Sequence, residues 1–466
     1  MKVRVQVIIE DEGQDKPIVV REVFDLTRGS LATSTLGLGL EEGKSLLAAV
    51  QEVMTETQVN AAIAEQVACP DCGTPRRHKD TRHIVVRTLF GKLKLPSPRL
   101  WHCPCTPQPT KTVSPVAALV PDRTAPELLY LESKFAGLLS YGLSARLLED
   151  LLPIGRALHP EVVRGHLAAV AQRLENELGD EQVSFIDTCP RDRQRMPRPD
   201  MPLTVGLDGG YVHSTNQRSR TEGWFEVIAG KSLPADGPAK CFGFVQTYDT
   251  KPKRRLFEVL KAQGMQDNQQ ITFLTDGGED IRDLPLYLNP QSEHLLDWFH
   301  VTMRLTVLRQ MAKGLPAADK AEAADELERL KWFLWHGNVL RALQTIDDIQ
   351  FGLEDIEEPD AKQRKLLRTI TEFGGYIRAN AGHIPNYGER YRANELISTS
   401  FVESTVNQVV SKRMVKKQQM RWTPRGAHLL LQIRTRVLNG DLGADFQRWY
   451  PNFTRAGPDL ENQIAA

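Results

Sequence analysis

Two stretches of this sequence run an apolar strand into the same three residues: LTVGLDGG at 203–210 and ITFLTDGG at 271–278. An aspartate at the end of a buried strand is costly unless it has a partner or a task. The glycines that follow read as a sharp turn that keeps other side chains away from the carboxylate. A fold is therefore expected in which the two strands are neighbours, so that Asp208 and Asp276 face each other. Two close carboxylates repel, and a hard divalent cation is the usual remedy: Mg2+ (or Mn2+), with oxygen ligands at about 2.0–2.1 Å. Taken singly, a DGG is most often only a turn, and Glu279 and Asp280 after the second one are competing ligands.

The surrounding elements narrow the topology. LTVGLDGG, WFEVIAGK and CFGFVQTYD read as three strands, and Pro252 suits the start of a helix through PKRRLFEVLKAQG. Strand ITFLTD, a short helix, strand EHLLDWF and a helix over about 299–313 follow. That order is the order of the ribonuclease H fold, in which the ends of the first and fourth strands lie together. Residues 315–395 interrupt it with mostly helical sequence, and a further helix is expected over 398–415. Glu403, in FVES on that helix, is the candidate third carboxylate. Three such groups can hold two metals roughly 3.5–4 Å apart, the clamp used for in-line phosphodiester displacement.

Six cysteines include two close pairs, Cys69-x2-Cys72 and Cys103-x-Cys105. Paired spacing favours a metal over disulfides in a cytosolic chain, and four thiolates suit a closed, structural Zn2+ site. His102 is an alternative to one sulfur, and a pair of free-thiol turns is the plainer reading. Between the pairs, HIVVRTLFGKLKLPSPRLWHC alternates like short strands.

Acidic and basic residues balance at 59 each, which speaks against a simple basic nucleic-acid coat but leaves local footprints open. SKRMVKKQQMRWTPR at 411–425 carries six basic residues and no acid. It reads either as a solvated helix face or as a phosphate-binding run, with Lys412, Arg413, Lys416, Lys417 and Arg421 as contacts. Residues 142–174 have the punctuation of a helix-turn-helix, with Arg164 and His166 on its second helix; a generic helical hairpin fits as well. In WFLWHGN, Trp332 and Trp335 share a helical face, suited to core packing or, for Trp335, to stacking on a base. No stretch is long and apolar enough for a membrane span, and MKVRVQVIIEDEG lacks the apolar core of a signal peptide, so a cytoplasmic (nucleoid-associated) protein is expected.

The combination LDGG, TDGG, DWFH and FVESTVNQVVSKRM resembles the DDE transposases of bacterial insertion sequences, most of all a Kra-type group related to the Mutator and hAT classes. The resemblance runs from the cysteine pairs to about residue 437. It implies Asp208, Asp276 and Glu403 as the catalytic triad, and it matches Asp297 and His300 to a D-x-x-H element near the site. Many such enzymes carry Lys or Arg seven residues after the glutamate; here that position is Val410, and Asn407 or Lys417 are the substitutes. The resemblance also implies transposon-end and target DNA as partners and a homodimer that holds two ends.

The expected architecture is a multidomain α+β / α/β chain. A strand and helix region (1–66) leads to a zinc ribbon (67–118), a helical, helix-turn-helix-like DNA-binding region (119–185) and a linker (186–202). A ribonuclease H-like core (203–314 and 396–440) is split by an all-helical insertion (315–395), and a tail (441–466) closes the chain. A ribonuclease H-like nuclease without strand transfer, and a catalytically silent zinc-dependent DNA-binding regulator, are the alternatives.

Overall fold

The computed structural model describes residues 1–10, 19–105, 111–155, 158–197, 203–215, 223–234, 236–278, 284–415 and 420–454. Two compact units make up the chain. The first joins Met1–Val170 to Gly440–Leu460, and the second is built on Ala171–Asn439. The whole is mixed α+β. Among the described residues no helix is long and apolar enough to cross a membrane.

In the first unit, β1 (Lys2–Ile9) pairs antiparallel with β2 (Val19–Thr27), and α1 (Leu40–Val67) follows. An antiparallel sheet comes next: β3 (His78–Thr88), β4 (Gly91–Trp101) and β5 (Thr112–Val113). Val59 of α1 packs with Val86, Leu95 and Val116 to close a small core. The helices α2 (Pro115–Leu119), α3 (Pro126–Leu138), α4 (Tyr141–Leu151) and α5 (Pro160–Glu177) complete this region. The Ser140 hydroxyl caps α4 by accepting from the Leu143 N–H at 3.3 Å. In α5, Val163, Leu167, Val170, Ala171 and Leu174 form the buried stripe expected of helical spacing. Within the stretch read as a linker lies one short helix, α6 (Pro190–Arg193).

The second unit is organised by a five-stranded sheet of β6 (Leu203–His213), β7 (Trp224–Leu233), β8 (Lys240–Val245), β9 (Ile271–Thr275) and β10 (Ser292–Leu296), in the order β10-β9-β6-β7-β8. The β6–β7 and β7–β8 pairs are antiparallel, whereas β6–β9 and β9–β10 are parallel. Leu203, Val205 and Leu207 alternate onto one face, where they join Phe242, Phe244 and Phe273 and meet Leu256 and Leu260 of α7 (Pro252–Ala262). The five residues of β9 are all buried, as a central parallel strand requires.

After β10, α8 (Trp298–Ala312) leads out to α9 (Ala317–Trp335), α10 (Val339–Glu354), α11 (Ala361–Ala379) and α12 (Tyr387–Arg392). These helices share a core of their own, including Leu305, Leu330, Ile346, Ile370 and Phe373, which reaches Leu296 at the end of β10. The chain then returns through α13 (Ser400–Val406), a π-helix (Asn407–Val415) and α14 (Pro424–Leu438). The single helix expected over 398–415 is thus an α-helical turn and a half followed by a wider π segment. Widening it re-aims its carbonyls, and the buried Arg434 gathers two of them: its Nε lies 2.8 Å from the Val409 carbonyl and 3.2 Å from that of Gln408. Burial, and then the charge of Arg413, holds that guanidinium down to about 10. Finally, α15 (Leu442–Trp449) lies in what the sequence suggested was a tail. It belongs to the first unit, where Phe446 and Phe453 lie edge-on to Tyr130 at 5.4 and 5.3 Å.

Candidate functional site

Strand register carries the two aspartates to one place. In the parallel β6–β9 pair, Thr204 stands opposite Thr272 and Gly206 opposite Leu274. The pairing ends there, and Asp208 and Asp276 each lie two residues beyond that last pair along their own chain segments. The β9–β10 pairing ends with Leu296 opposite Thr275, so the next residue, Asp297, stands beside Asp276. The Asp297 N–H donates to the Thr275 carbonyl at 2.8 Å and holds that row together.

The twin DGG motifs do different work, and the reading of both as turns is corrected. β6 continues through Gly209 and Gly210 as far as His213. Neither glycine has a positive φ, whereas Gly277 does, at +85°. The glycines of β6 instead make room. A Cβ on Gly206 would stand 2.1 Å from Val402, and one on Gly210 would stand 3.2 Å from Val406. With Asp208 between them on that face, they let α13 lie directly on the strand, bringing Glu403 over the sheet. Gly277 is a genuine strand end, and a Cβ there would collide with the buried Asn380 amide at 2.6 Å.

Charge reports the same convergence. Burial pushes the Asp208 carboxyl above its ordinary range. His300 pulls it back, Asp276 pushes it up again, the Gly209 N–H (2.8 Å) pulls it back, and Glu403 pushes it further. Glu403 itself is exposed, one turn into α13. The charges of His300, Asp276 and Glu403 thus all act on Asp208.

Asp297 is committed elsewhere. It is fully buried; its Oδ1 accepts from the Phe299 N–H at 2.9 Å, capping α8, and from the Thr399 N–H at 2.9 Å. Its Oδ2 takes the Thr399 hydroxyl. Burial raises its pKa, and the Thr399 and Phe299 hydrogen bonds and His300 act against that rise. With its oxygens so engaged, Asp297 holds the start of the glutamate helix. His300 Nε2 lies 3.7 Å from Asp297 Oδ2 and has no hydrogen-bond partner among the described residues. Thr399 was missed in the sequence, although Ser/Thr residues ahead of FVES mark a helix start. Its hydroxyl makes no cap bond and serves Asp297 instead.

Among the described residues, the groups of three or more potential ligands whose atoms lie within 4.8 Å of one another are two: the four cysteines, and Glu175 with Asp249 and His428. Asp208, Asp276 and Glu403 are not among those groups. Ligands of a single Mg2+ can be no more than about 4.2 Å apart, twice its bond length. The oxygen-only donor set and the like charges acting on Asp208 are of the kind that suits hard cations.

The four cysteines gather as sequence spacing suggested. Cys69 Sγ lies 3.5 Å from Cys105 Sγ, and Cys72 Sγ lies 3.4 Å from Cys103 Sγ. A tight knuckle shapes the first pair: the Gly73 N–H donates to the Cys69 carbonyl at 2.9 Å, and Gly73 adopts φ +70°. The Thr74 hydroxyl, then its backbone N–H, then the neighbouring sulfurs bring the Cys72 thiol down to about 6. Backbone N–H groups of Cys72 and Asp71 lower Cys69. Such a cluster fits a thiophilic metal ion.

Glu175, Asp249 and His428 surround a guanidinium. Arg255 is bidentate to Glu175, at 2.9 Å for each bond, and its Nε lies 2.8 Å from Asp249. The His428 and Arg255 bonds outweigh burial and hold Glu175 at about 2. The place a cation would take is filled by Arg255, which fastens α5 to α7 and α14 within the second unit.

The residues expected to meet DNA scatter. Arg164 is exposed and pairs with Glu161 on its own helix. His166 is turned inward, its Nδ1 on the buried Glu132 and its Nε2 3.4 Å from the Thr124 hydroxyl. Trp335 packs inside the helical insertion, 5.1 Å from the Trp298 ring, whereas Trp332 is 48% exposed. Arg413 is fully buried, 5.4 Å from the Trp422 ring, because the π segment rotates it under Trp422 and away from solvent. Asn407 is half-buried, Lys412 and Arg421 are exposed, and Lys416 and Lys417 lie outside the described residues, as do Glu279 and Asp280.

No family model matches the sequence. No curated protein matches it. Among solved structures, the chain is similar to the "Drosophila P element transposase strand transfer complex", at 8% identity and a TM-score of 0.28, over 67% of this chain and 92% of that one.

Proposed function

We propose that this protein is a DNA transposase of the DDE type, with a ribonuclease H-like core split by a helical insertion, as the resemblance to bacterial insertion-sequence enzymes implies. The observation that supports the reading is that Asp208 and Asp276 each follow the last pair of the parallel β6–β9 ladder by two residues, with the Asp276 and Glu403 charges both acting on Asp208. The strand order and the glycine-floored seat of α13 support it.

In this reading Asp208, Asp276 and Glu403 hold Mg2+ (or Mn2+). When bound, two such ions supply charge stabilisation to the attacking and leaving oxygens of the phosphodiester. The chain's own part is rigidity and placement. The sheet carries Asp208, Asp276 follows the end of β9, Asp297 fixes Thr399 and so the entry of the glutamate helix, and His300 stands beside Asp297 with its Nε2 buried. Cys69, Cys72, Cys103 and Cys105 hold a structural Zn2+ in the first unit. Transposon-end and target DNA are the partners, with two copies of the chain holding two ends.

The test is an in vitro reaction with DNA carrying the inverted repeats that flank the coding frame, in Mg2+. Cleavage followed by joining to target DNA supports the proposal, provided Glu403→Gln abolishes both. Cleavage without joining indicates a nuclease, and binding without cleavage a silent regulator.

A further inference from the structure

An anionic DNA backbone approaching three carboxylates needs a nearby cation to offset their repulsion. The position where the resemblance expects one is Val410, buried at 1% exposure and 3.6 Å from where a Cβ of Gly210 would stand. Arg413, on the same segment, is buried too.

A different arginine is linked to Asp276 through Tyr376. Arg304 lies on α8 one turn beyond His300, hence on the same helical face, and it is exposed. Its guanidinium carbon lies 4.1 Å from the centre of the Tyr376 ring. The Tyr376 hydroxyl donates to the backbone carbonyl of Asp276 at 2.9 Å. Tyr376 is thus a bracket, its tip on the catalytic loop and its face under the arginine. Several arginines of α8 and of the insertion are paired with acids: Arg309 with Glu328, Arg378 with Asp347, and Arg390 with Glu293 and Glu395. Among the described residues no carboxylate pairs with Arg304, whose contacts are the ring and hydroxyl of Tyr376. Stacking fixes the plane of a guanidinium while leaving its N–H fork free for a phosphate.

Resting on the reading above as a DNA-cutting enzyme, we propose that Arg304, braced by Tyr376, is a phosphate-binding residue that seats the DNA backbone beside Asp276. The lysine or arginine expected on the glutamate helix is replaced, in space, by an arginine from the helix that carries His300.

The experiment measures binding of a fluorescently labelled duplex oligonucleotide of arbitrary sequence to the full chain over a series of salt concentrations. One phosphate contact contributes about 0.9 to the slope of log affinity against log salt. Arg304→Ala should make the slope shallower by about that amount and weaken binding about tenfold, the loss expected for one charge-assisted hydrogen bond. Arg304→Lys should keep the slope. Thermal unfolding of both variants should match the parent, because the side chain is exposed and pairs with no acid among the described residues. Superimposable salt curves for the parent and Arg304→Ala would overturn the assignment and leave the transposase reading intact. A parent chain that binds no duplex at any salt would bring down the functional reading, and Arg304 with it.

Discussion

Thr399 donates both its backbone N–H and its hydroxyl to Asp297, a residue 102 positions earlier. The helical insertion leaves the sheet at Asp297 and returns at Thr399, so this pair closes its neck. It also decides where α13, and with it Glu403, begins. Thr399→Val keeps the shape but strips the buried Asp297 Oδ2 of its donor, a loss of about 1–3 kcal/mol. The expected outcome is a lower unfolding temperature with DNA cleavage reduced more than DNA binding, and recovery of both in Thr399→Ser. Loss of binding and cleavage in equal proportion would instead mark Thr399 as ordinary core.

The seat of α13 on β6 gives a paired prediction. A methyl group at Gly206 meets Val402 at 2.1 Å and Phe401 at 2.9 Å, both on a helix pressed against the strand. At Gly209 it meets the Glu226 carboxylate end at 2.5 Å, and that side chain can swing aside. Gly206→Ala should therefore cost about 1–3 kcal/mol as overpacking, and it should lower cleavage by lifting Glu403. Gly209→Ala should fold and cut close to normally. Denaturant unfolding of the two variants decides the matter.

These glycines also show how far the sequence could be read. Alternating apolar residues placed the strands, and the recurring Asp-Gly-Gly pointed to Asp208 and Asp276 because local pattern governs strand position. The same motif misled at the next level. In β6 the glycines answer to a helix some two hundred residues away, and nothing local distinguishes a glycine that turns from one that makes room. The π segment behaved likewise: its basic side chains suggested a solvated or phosphate-facing stripe, but with more residues per turn than an α-helix it buries Arg413 against Trp422. The gathering of the four cysteines was legible, since two close pairs flank the β3–β4 hairpin. Thr399, Tyr376 and Arg304 were not, because their roles depend on contacts made across the insertion.

Asp208 should trade stability for function. Its folded-state pKa is raised by burial, with the Asp276 and Glu403 charges adding to the effect, so the ionised form burdens the fold at neutral pH. Asp208→Asn should raise the unfolding temperature at pH 7 while lowering cleavage by about three orders of magnitude or more. As pH falls below the ordinary aspartate range, the parent's Asp208 is protonated in folded and unfolded chains alike, and the stability gap should close. Adding Mg2+ should stabilise the parent and leave the variant nearly unmoved. Calorimetry over pH, with and without the ion, checks each step; a variant less stable than the parent at pH 7 would contradict the assignment.

The cysteine cluster makes the last prediction. With Cys69, Cys72, Cys103 and Cys105 facing one another, and with Cys72 brought down to about 6 by Thr74 and its neighbours, the thiolate form needed for metal binding is accessible at neutral pH. Metal analysis of the purified chain should return one zinc per molecule. A strong chelator should remove it and expose the β3–β4 region to proteolysis, since the knuckle at Gly73 and the turn after β4 are joined through the sulfurs. Cys72→Ser should lower zinc affinity and cause the same local opening, while leaving the sheet of the second unit protected in hydrogen exchange. Zinc retained in the Cys72→Ser and Cys103→Ser double variant would show that the ion is held elsewhere, and a parent chain free of zinc but fully resistant to protease would show that the fold does not depend on it.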